Sequence, residues 1–285
     1  MNTNVVIVGA PRSGTNMLRD VLTTLPGVAT WPCDEVNPLW RHGNRSEPSD
    51  ELTPAMARPR VVGYIRDRFE RMHRHYDAHT VVEKTCANSL RVEFVRAVLP
   101  MARYVFITRD GVDAAASAAE QWHSSFDLRY TAAKARFVPP SDVPYYAAKF
   151  LAGRMRGRQA PPEGRVNTWW GPRPRDYREL VRTHPLDEIC AIQWHRCVDA
   201  SVRGLEGLGP EQLLHVGYED FVTNPEIELA RITDFLNLSG FDATKAVAGV
   251  SSKSIGKGRK ALGQDRLAKL EELVGPSLRR LRDGQ

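Results

Sequence analysis

A short apolar strand that runs through a glycine-bearing loop into a helix constrains this chain more than any other feature. Val5–Val8 (VVIV) is a run of β-branched residues, which predicts a buried strand. The loop Gly9–Asn16 follows, and residues 17–22 have the pattern of the first turns of a helix. In such a unit the loop amides and the positive end of the helix dipole face one anion. The stretch therefore predicts a phosphate cradle, and the alternative is a structural turn without a ligand.

Composition and charge fit a globular protein with an anionic ligand. The chain has 285 residues, 42% of them hydrophobic and 26% charged, which suffices for one large domain. Its net charge of +6 suits a phosphate but is weak support for nucleic acid, which we do not predict as a partner. Because the chain has four cysteines without metal-ligand spacing, no basic leader and no long apolar run, we expect a cytoplasmic protein without a membrane span or a metal site.

Strand and helix patterns alternate along the chain. Apolar runs predict strands at residues 80–82, 103–108 and 212–216, and apolar spacings of three and four predict an amphipathic helix over residues 61–76. This alternation predicts a single α/β domain over residues 1–285, with a P-loop-type parallel β-sheet flanked by α-helices.

The carboxyl ends of the predicted strands carry the candidate site, because ligands of parallel sheets bind there. The phosphate loop, Lys84 and Arg109 all fall at such ends. By contrast, the polar residues 43–60 are expected to be an exposed excursion. The histidines on or just after the helix are expected to be solvated; they are His73, His75 and His79.

Residues 122–186 interrupt the alternation and predict an insertion, a lid or an acceptor-binding segment. Between Arg129 and Arg182 there are 12 Lys and Arg residues against 4 Asp and Glu, and seven of the 19 prolines lie here. The segment is either a solvated loop or a basic lid over an anionic cofactor or an acidic acceptor.

The phosphate loop has the glycine spacing of a Walker A loop but lacks its lysine. Thr15 and Asn16 follow Gly14, where a nucleoside triphosphatase carries Lys and then Ser or Thr. Arg12 supplies a cation inside the loop instead, and Ser13 adds a hydroxyl donor. The loop therefore predicts binding of a 5′-phosphate without the usual arrangement for γ-phosphoryl transfer.

The loop resembles the 5′-phosphosulfate loop of the sulfotransferases that use 3′-phosphoadenosine 5′-phosphosulfate (PAPS). The matching residues are Pro11-Arg12-Ser13-Gly14-Thr15-Asn16, and Arg109-Asp110-Gly111-Val112-Asp113-Ala114-Ala115-Ala116-Ser117 is similar to the family's 3′-phosphate motif. The resemblance implies that the six loop residues, Arg109 and Ser117 bind the donor. Chemically, an arginine at a strand end offers a planar fork to phosphate oxygens. Arg109 considered alone is equally consistent with an ordinary ion pair.

Two further stretches resemble the same family. Gly217-Tyr218-Glu219-Asp220-Phe221, followed by Asn224-Pro225, resembles a segment whose tyrosine lies against adenine; the alternative for Tyr218 is a half-buried aromatic. Residues 251–262 resemble the loop that covers the 3′-phosphate with basic residues, here Lys257, Arg259 and Lys260. This loop lacks the RKG triplet of the cytosolic small-molecule branch. Val82-Glu83-Lys84-Thr85 and Cys33-Asp34-Glu35 resemble blocks of the tyrosylprotein-like members, so the chain resembles the bacterial and tyrosylprotein-like branch more closely.

Transfer of a sulfuryl group requires a base for the acceptor and positive charge for the departing oxygens. The resemblance implies Lys84 and Arg12 for the positive charge, and Glu35, within Cys33-Asp34-Glu35, as the general base. Asp34 is the second candidate for the base, and the alternative is a solvated acidic loop.

The sequence thus predicts an enzyme that moves the sulfuryl group of PAPS to a hydroxyl or amine acceptor by in-line transfer, with PAP as the product and no metal. Candidate acceptors are a small molecule, a carbohydrate, a lipid head group or a peptide. One alternative is a nucleotide or small-molecule kinase on the same framework, which would need the missing lysine and a metal-binding carboxylate. The other is a nucleotide-binding adaptor without turnover.

Overall fold

Five parallel strands form one sheet. The computed structural model describes residues 2–122, 137–148 and 169–283. The strands are β1 (Thr3–Val8), β2 (Val28–Ala29), β3 (Thr80–Lys84), β4 (Arg103–Thr108) and β5 (Leu213–Gly217). Their order in the sheet is β2-β3-β1-β4-β5, so the phosphate loop leaves the central strand. The parallel sheet flanked by helices confirms the predicted fold class.

Helices connect the strands and cover the sheet. They are α1 (Thr15–Leu22), α2 (Asn37–Trp40), α3 (Pro59–Tyr76), α4 (Val92–Val98), α5 (Gly111–Trp122), α6 (Tyr177–Thr183), α7 (Leu186–Leu205), α8 (Tyr218–Thr223), α9 (Pro225–Leu236), α10 (Ala243–Ala246), α11 (Lys257–Ala261) and α12 (Gln264–Asp283). Single 3₁₀ segments cover Pro54–Met56, Cys86–Leu90 and Pro140–Asp142, and residues 143–148 are helical. Of the helices in the described ranges, none has the length and apolarity that crossing a membrane would take.

The central strand is buried on both faces. Val6 and Val8 pack in one core with α3, α4, α5 and α7, whereas Val5 and Ile7 pack in a second core with α1, α8 and α9. This two-residue alternation is that of an extended strand. Because both faces are covered, every position in the run must be apolar, which explains why the strand reads as a continuous apolar stretch.

Residues 43–60 are exposed only in part: residues 53–60 lie mainly at the surface, as their polarity predicted, whereas part of residues 44–52 is buried. Asp50 is 5% exposed, and its Oδ1 accepts a hydrogen bond of 2.7 Å from Arg41 Nη1, with Arg91 Nη1 at 3.7 Å. Its Oδ2 accepts from the Arg173 amide at 2.9 Å. Burial alone would raise the pKa of Asp50, but the guanidinium groups of Arg91 and Arg41 outweigh it and lower that pKa. Asp50, Arg41 and Arg91 can be buried together because their charges and hydrogen bonds satisfy one another.

His73 is likewise buried, contrary to the prediction. Its Nδ1 lies 2.7 Å from the Ala78 carbonyl oxygen and its Nε2 lies 2.9 Å from Asn4 Oδ1, so the ring ties the end of α3 to β1. His75 and His79 are exposed, as expected.

The described parts of the predicted insertion pack against the rest of the domain. The rings of Trp169 and Trp170 lie 5.5 and 6.0 Å from that of Trp122, and Gln193 Nε2 on α7 donates to the Trp170 carbonyl oxygen at 2.8 Å. The remainder of residues 122–186 lies outside the described ranges. The role of the segment as a lid or an acceptor-binding element stays a prediction.

Asp50→Asn should lower the free energy of unfolding by about 3 kcal/mol, because it leaves two buried guanidinium groups without a counter-charge. Urea denaturation measures the change. The matched control is Asp67→Asn, which breaks an ion pair with Arg71 whose side chains are 43% and 58% exposed; its effect should stay below about 1 kcal/mol. Equal effects of the two variants would contradict the buried network.

Candidate active site

The phosphate loop is held in a tight conformation at the end of β1. A Cβ at Gly9 would lie 2.8 Å from the Ile107 carbonyl oxygen, so the backbone of the loop packs directly against the backbone of β4. Arg12 has a φ of 66° and Gly14 a φ of 88°, both left-handed, and the Ser13 amide donates to the Ala10 carbonyl at 3.2 Å. Gly14 is the N-cap of α1, so the loop amides converge at the start of that helix.

The hydroxyl of Ser13 is an unsatisfied polar group inside this loop. Ser13 is fully buried, and its Oγ has no hydrogen-bond partner within the described part of the chain. Thr15 is also buried, whereas Asn16 is exposed at the first turn of α1, and Pro11 is buried at the start of the loop. A buried hydroxyl without a partner is costly unless a ligand satisfies it.

Arg109 connects the phosphate loop to two other segments, Tyr218 at the start of α8 and the segment of residues 251–262. Its Nη1 donates to the Arg12 carbonyl at 2.9 Å and its Nη2 to the Ser254 carbonyl at 2.9 Å, while its Cζ lies 4.5 Å from the centre of the Tyr218 ring. Its Nε is buried and has no hydrogen-bond partner among the described residues. The Arg12 side chain extends to α5, where its Nε donates to Ser117 Oγ at 3.0 Å. The structure therefore brings together four of the predicted donor-binding residues.

Tyr218 is the first residue of α8, directly after β5, and its ring packs on the phosphate loop at Gly14. A Cβ at Gly14 would overlap Cδ2 of the Tyr218 ring, so only glycine allows this approach. The Tyr218 hydroxyl lies 2.5 Å from Ser254 Oγ. This contact joins Tyr218 to the C-terminal loop, by which we mean residues 251–262 including α11. Tyr218 is buried, and the ring edge that carries Cδ2 and Cε2 faces Gly14 of the phosphate loop.

Asp113 holds the C-terminal loop against α5. Its carboxylate accepts the amides of Gly256 at 2.5 Å, Gly258 at 2.9 Å and Arg259 at 3.2 Å. A Cβ at Gly258 would lie 2.8 Å from Ala116 Cβ, which requires glycine there. Sequence reasoning missed Asp113, although its position in the first turn of α5 and the two glycines of the loop were a usable signal.

The three basic residues that follow Gly256 lie in α11 and differ in their surroundings. Arg259 donates to Asp110 Oδ2 at 2.8 Å and also bonds Glu271, so carboxylates balance its charge. Lys257 Nζ lies 3.6 Å from Glu120, with both side chains about two-thirds exposed, and Lys260 is exposed. The two lysines are therefore the loop cations better placed for an added anion.

Glu35 and Lys84 form an ion pair on the other side of the phosphate loop. Lys84 Nζ donates to Glu35 Oε1 at 3.1 Å, and the Cys86 amide donates to the same oxygen at 3.2 Å. Thr15 Oγ1 lies 3.6 Å from Cys86 Sγ, which places the pair next to the start of α1. The sequence predicted both residues, and the structure brings them into contact.

The charge state of the pair follows from its surroundings. Burial alone would lower the pKa of Lys84, but negative charge nearby, that of Cys86 when it is ionised and that of Glu35, outweighs burial and raises that pKa. Burial also raises the pKa of Cys86 to about 12. Since this thiol is protonated at neutral pH, Glu35 supplies the opposing charge, and Lys84 stays an ammonium ion.

Asp34, the second candidate for the base, faces a different cation. Its Oδ1 accepts from Arg19 Nη1 at 3.3 Å, and Arg19 also pairs with Asp20 at 2.6 Å. A shallow recess is lined by Asp34, Glu35 and Lys84. Among the described residues, no group of three or more His, Cys, Asp or Glu side chains is arranged to hold a metal ion.

The parallel sheet with helices on both faces defines a mixed α/β protein, and a sequence comparison narrows this class. The model of the sulfotransferase family matches residues 4–168 and 164–243, so the chain belongs to the sulfotransferase family. The match runs through the predicted insertion. No curated protein sequence matches the chain.

Solved sulfotransferase structures have a similar fold. The sulfotransferase domain of the Synechococcus PCC 7002 olefin synthase is 15% identical with a TM-score of 0.52, over 95% of this chain and 94% of that one. A sulfotransferase from Alicyclobacillus acidocaldarius is 17% identical with a TM-score of 0.53, over 99% and 95%. Mouse sulfotransferase SULT7A1 complexed with PAP is 13% identical with a TM-score of 0.50, over 97% and 85%. These likenesses confirm the fold and agree with the predicted family; the branch stays a prediction.

Gly14→Ala should destabilise the protein by about 2 kcal/mol or more, because alanine is strained at a positive φ and its methyl group would overlap Tyr218. Thermal or urea unfolding measures the loss. Gly63→Ala is the matched control: it lies in α3 with nothing within 4 Å of the added Cβ. This control should be stabilising by about 0.5–1 kcal/mol. Similar values for the two variants would show that the loop accepts a side chain.

Proposed function

We propose that this chain is a PAPS-dependent sulfotransferase that moves the sulfuryl group to a hydroxyl or amine acceptor, with Glu35 as the general base. Membership of the family supports sulfuryl transfer in general. The mouse neighbour was crystallised with PAP, which favours the same nucleotide for this chain. The observation that carries the proposal is a pair of buried donors without partners among the described residues: Ser13 Oγ in the phosphate loop, and Nε of Arg109, whose guanidinium lies against the Tyr218 ring.

The residues present fit a nucleotide that carries one phosphate at its 5′ position and another at its 3′ position. The amides of the phosphate loop and Ser13 Oγ would hold the 5′-phosphosulfate. Arg109, Ser117 and the lysines Lys257 and Lys260 would hold the 3′-phosphate, with Tyr218 beside the base. Arg12 bonds Ser117 and belongs to the loop, so it can serve either phosphate.

Glu35 and Lys84 would perform the chemistry next to this nucleotide. PAPS supplies an activated sulfuryl group when bound. The Glu35 carboxylate accepts the proton of the acceptor hydroxyl, and the Lys84 ammonium stabilises negative charge that develops on the oxygens of the reacting group. Because Lys84 keeps its proton, we assign it an electrostatic role and leave proton transfer to Glu35.

Isothermal titration should show binding of PAP but no magnesium-dependent binding of ATP, because the loop lacks the lysine that reaches a γ-phosphate. Arg109→Ala should weaken PAP binding about tenfold or more. Arg103→Ala is the control at the opposite end of the same strand, where Nη1 bonds the Phe235 carbonyl, and it should bind PAP normally. Magnesium-dependent ATP binding would favour the kinase instead.

Glu35→Gln should reduce the turnover of labelled PAPS by about 10²–10⁴-fold, because glutamine cannot accept the acceptor proton. PAP affinity should stay within about twofold, since Glu35 is not assigned to the nucleotide. Asp34→Asn, one residue away, should retain most activity. If Asp34→Asn is the slow variant, Asp34 is the base; full activity in both variants removes the carboxylate mechanism. Wild-type PAP binding without any turnover would favour the adaptor.

The same assay can identify the class of acceptor. A panel with labelled PAPS would contain a phenol, a carbohydrate, a lipid head group and a tyrosine peptide. The basic and aromatic composition of residues 122–186 fits an anionic or aromatic acceptor, and a lid over the donor accounts for it equally well.

A further inference from the structure

Glu83 is a buried carboxyl group that the proposed mechanism does not use. It is fully buried on β3, and no ion pair within 4 Å joins it to a described Lys, Arg or His side chain. Its oxygens accept from Thr85 Oγ at 2.5 Å and from Asn88 Nδ2 at 2.8 Å. Burial raises the pKa of Glu83 to about 7. A carboxyl in such surroundings costs stability, so packing alone does not account for it.

Thr85 connects Glu83 to the backbone beside the proposed base. The Thr85 hydroxyl has one proton, which it donates to Glu83 Oε1, so its lone pairs are available to accept. The Val36 amide donates to Thr85 Oγ at 3.1 Å. Val36 directly follows Glu35 in the chain. Glu83 thus orients the Thr85 hydroxyl. The relay of hydrogen bonds from Glu83 through Thr85 ends at the Val36 amide, one residue from Glu35.

The same segment also holds the carboxylate of Glu35. Lys84 Nζ and the Cys86 amide both donate to Glu35 Oε1, at 3.1 and 3.2 Å. These two donors flank Thr85 in the sequence. Residues 84–86 therefore hold Glu35 at its side chain and at the adjoining backbone.

We propose that Glu83 and Thr85 are positioning residues for Glu35, which they orient through the Val36 amide. The proposal rests on the proposed function, since it requires Glu35 to be the base. In this arrangement neither residue touches the donor or the acceptor. Their effect is to keep the Glu35 carboxylate in one place relative to Lys84 Nζ, and displacement of a catalytic group by about 1 Å is enough to slow a reaction about a hundredfold.

A purely structural role is the competing explanation. Arg91 Nε donates to Asn88 Oδ1 at 2.9 Å, and Arg91 Nη2 donates to Asn37 Oδ1 at 2.6 Å. This branch of the network also reaches the loop that carries Glu35 and stabilises it irrespective of Thr85. The two explanations differ in what they predict for kcat and for nucleotide binding.

Thr85→Val tests the relay, because valine removes the hydroxyl and nearly preserves the shape. The assay measures PAP released from PAPS with a fixed mixture of 4-nitrophenol, N-acetylglucosamine and a tyrosine peptide, in which water is a further acceptor. We expect kcat to fall about tenfold or more, with KM for PAPS and Kd for PAP within about twofold of the wild type. Thr85→Ser keeps the hydroxyl and should restore most of kcat. Thr80→Val, a buried threonine at the other end of β3, is the matched control and should have wild-type kcat.

Glu83→Gln tests the same relay from its other end. Because Arg91 Nε donates to Asn88 Oδ1, Asn88 keeps its Nδ2 toward residue 83. The glutamine oxygen would therefore face Asn88 and its amide nitrogen would face Thr85, which loses its acceptor. The double variant Glu83→Gln/Thr85→Val should be about as slow as the slower single variant, because both changes break one path. If Thr85→Val does not fold, Glu83→Gln together with Thr85→Ser carries the test.

Three results would overturn the positioning role. They are a kcat within about twofold of the wild type in both variants, a loss of kcat matched by an equal loss of PAP affinity, and failure of Thr85→Ser to restore kcat. A wild-type protein that releases no PAP from PAPS refutes the proposed function, and the positioning role falls with it. An active wild type with a slow Glu35→Gln but a normal Thr85→Val refutes only the positioning role.

Discussion

The parallel pairing of β3, β1, β4 and β5 is the constraint on which the candidate site depends. In its register Ile7 lies beside Lys84, and Thr108 lies beside Gly217. The four strands therefore end at one edge, and each next residue or loop enters the site: the phosphate loop, Arg109 and Tyr218 follow their strands, and Lys84 ends its own. A slip of one residue in any pairing would turn the corresponding side chain to the opposite face of the sheet.

The charges at this edge fall into two groups with different chemistry. Lys84 is paired with Glu35, so a proton acceptor and a fixed positive charge lie together. Arg109 donates to two carbonyl oxygens and stacks on Tyr218, and no carboxylate lies within 4 Å of it in the described part of the chain. Its charge is thus available to an anion, whereas that of Arg259 is balanced by Asp110 and Glu271. This difference favours Arg109 over Arg259 as the main phosphate ligand.

The sequence was sufficient where a local pattern determines the structure. Continuous apolar runs predicted β1 and β4, and family resemblance selected Glu35 and Lys84, which lie 3.1 Å apart across 49 positions. The sequence was insufficient where polar residues that are far apart in the chain form hydrogen bonds or ion pairs with one another. Asp113 caps amides more than 140 residues away, and Asp50 meets Arg173 across 123 positions. A polar residue in a sequence predicts exposure unless its partner is known, which explains why the burial of Asp50 within residues 43–60 was not expected.

The buried carboxyl of Glu83 lowers the stability of the fold when it is ionised, but in the proposed arrangement it orders the loop that carries Glu35. Its pKa of about 7 in the folded chain lies above its usual value of 4.5, so the protonated form is favoured by folding. Its contribution to stability is therefore fully present below about pH 4.5 and is lost as the pH rises through 7, by about 3 kcal/mol in all. The ionised form is the stronger acceptor for the Thr85 hydroxyl, and it is the form that the fold stabilises less. A leucine would avoid this loss but would leave Thr85 without the acceptor that directs its lone pairs to Val36. We infer that the order of the Glu35 loop, more than the stability of the core, accounts for a carboxyl at this position.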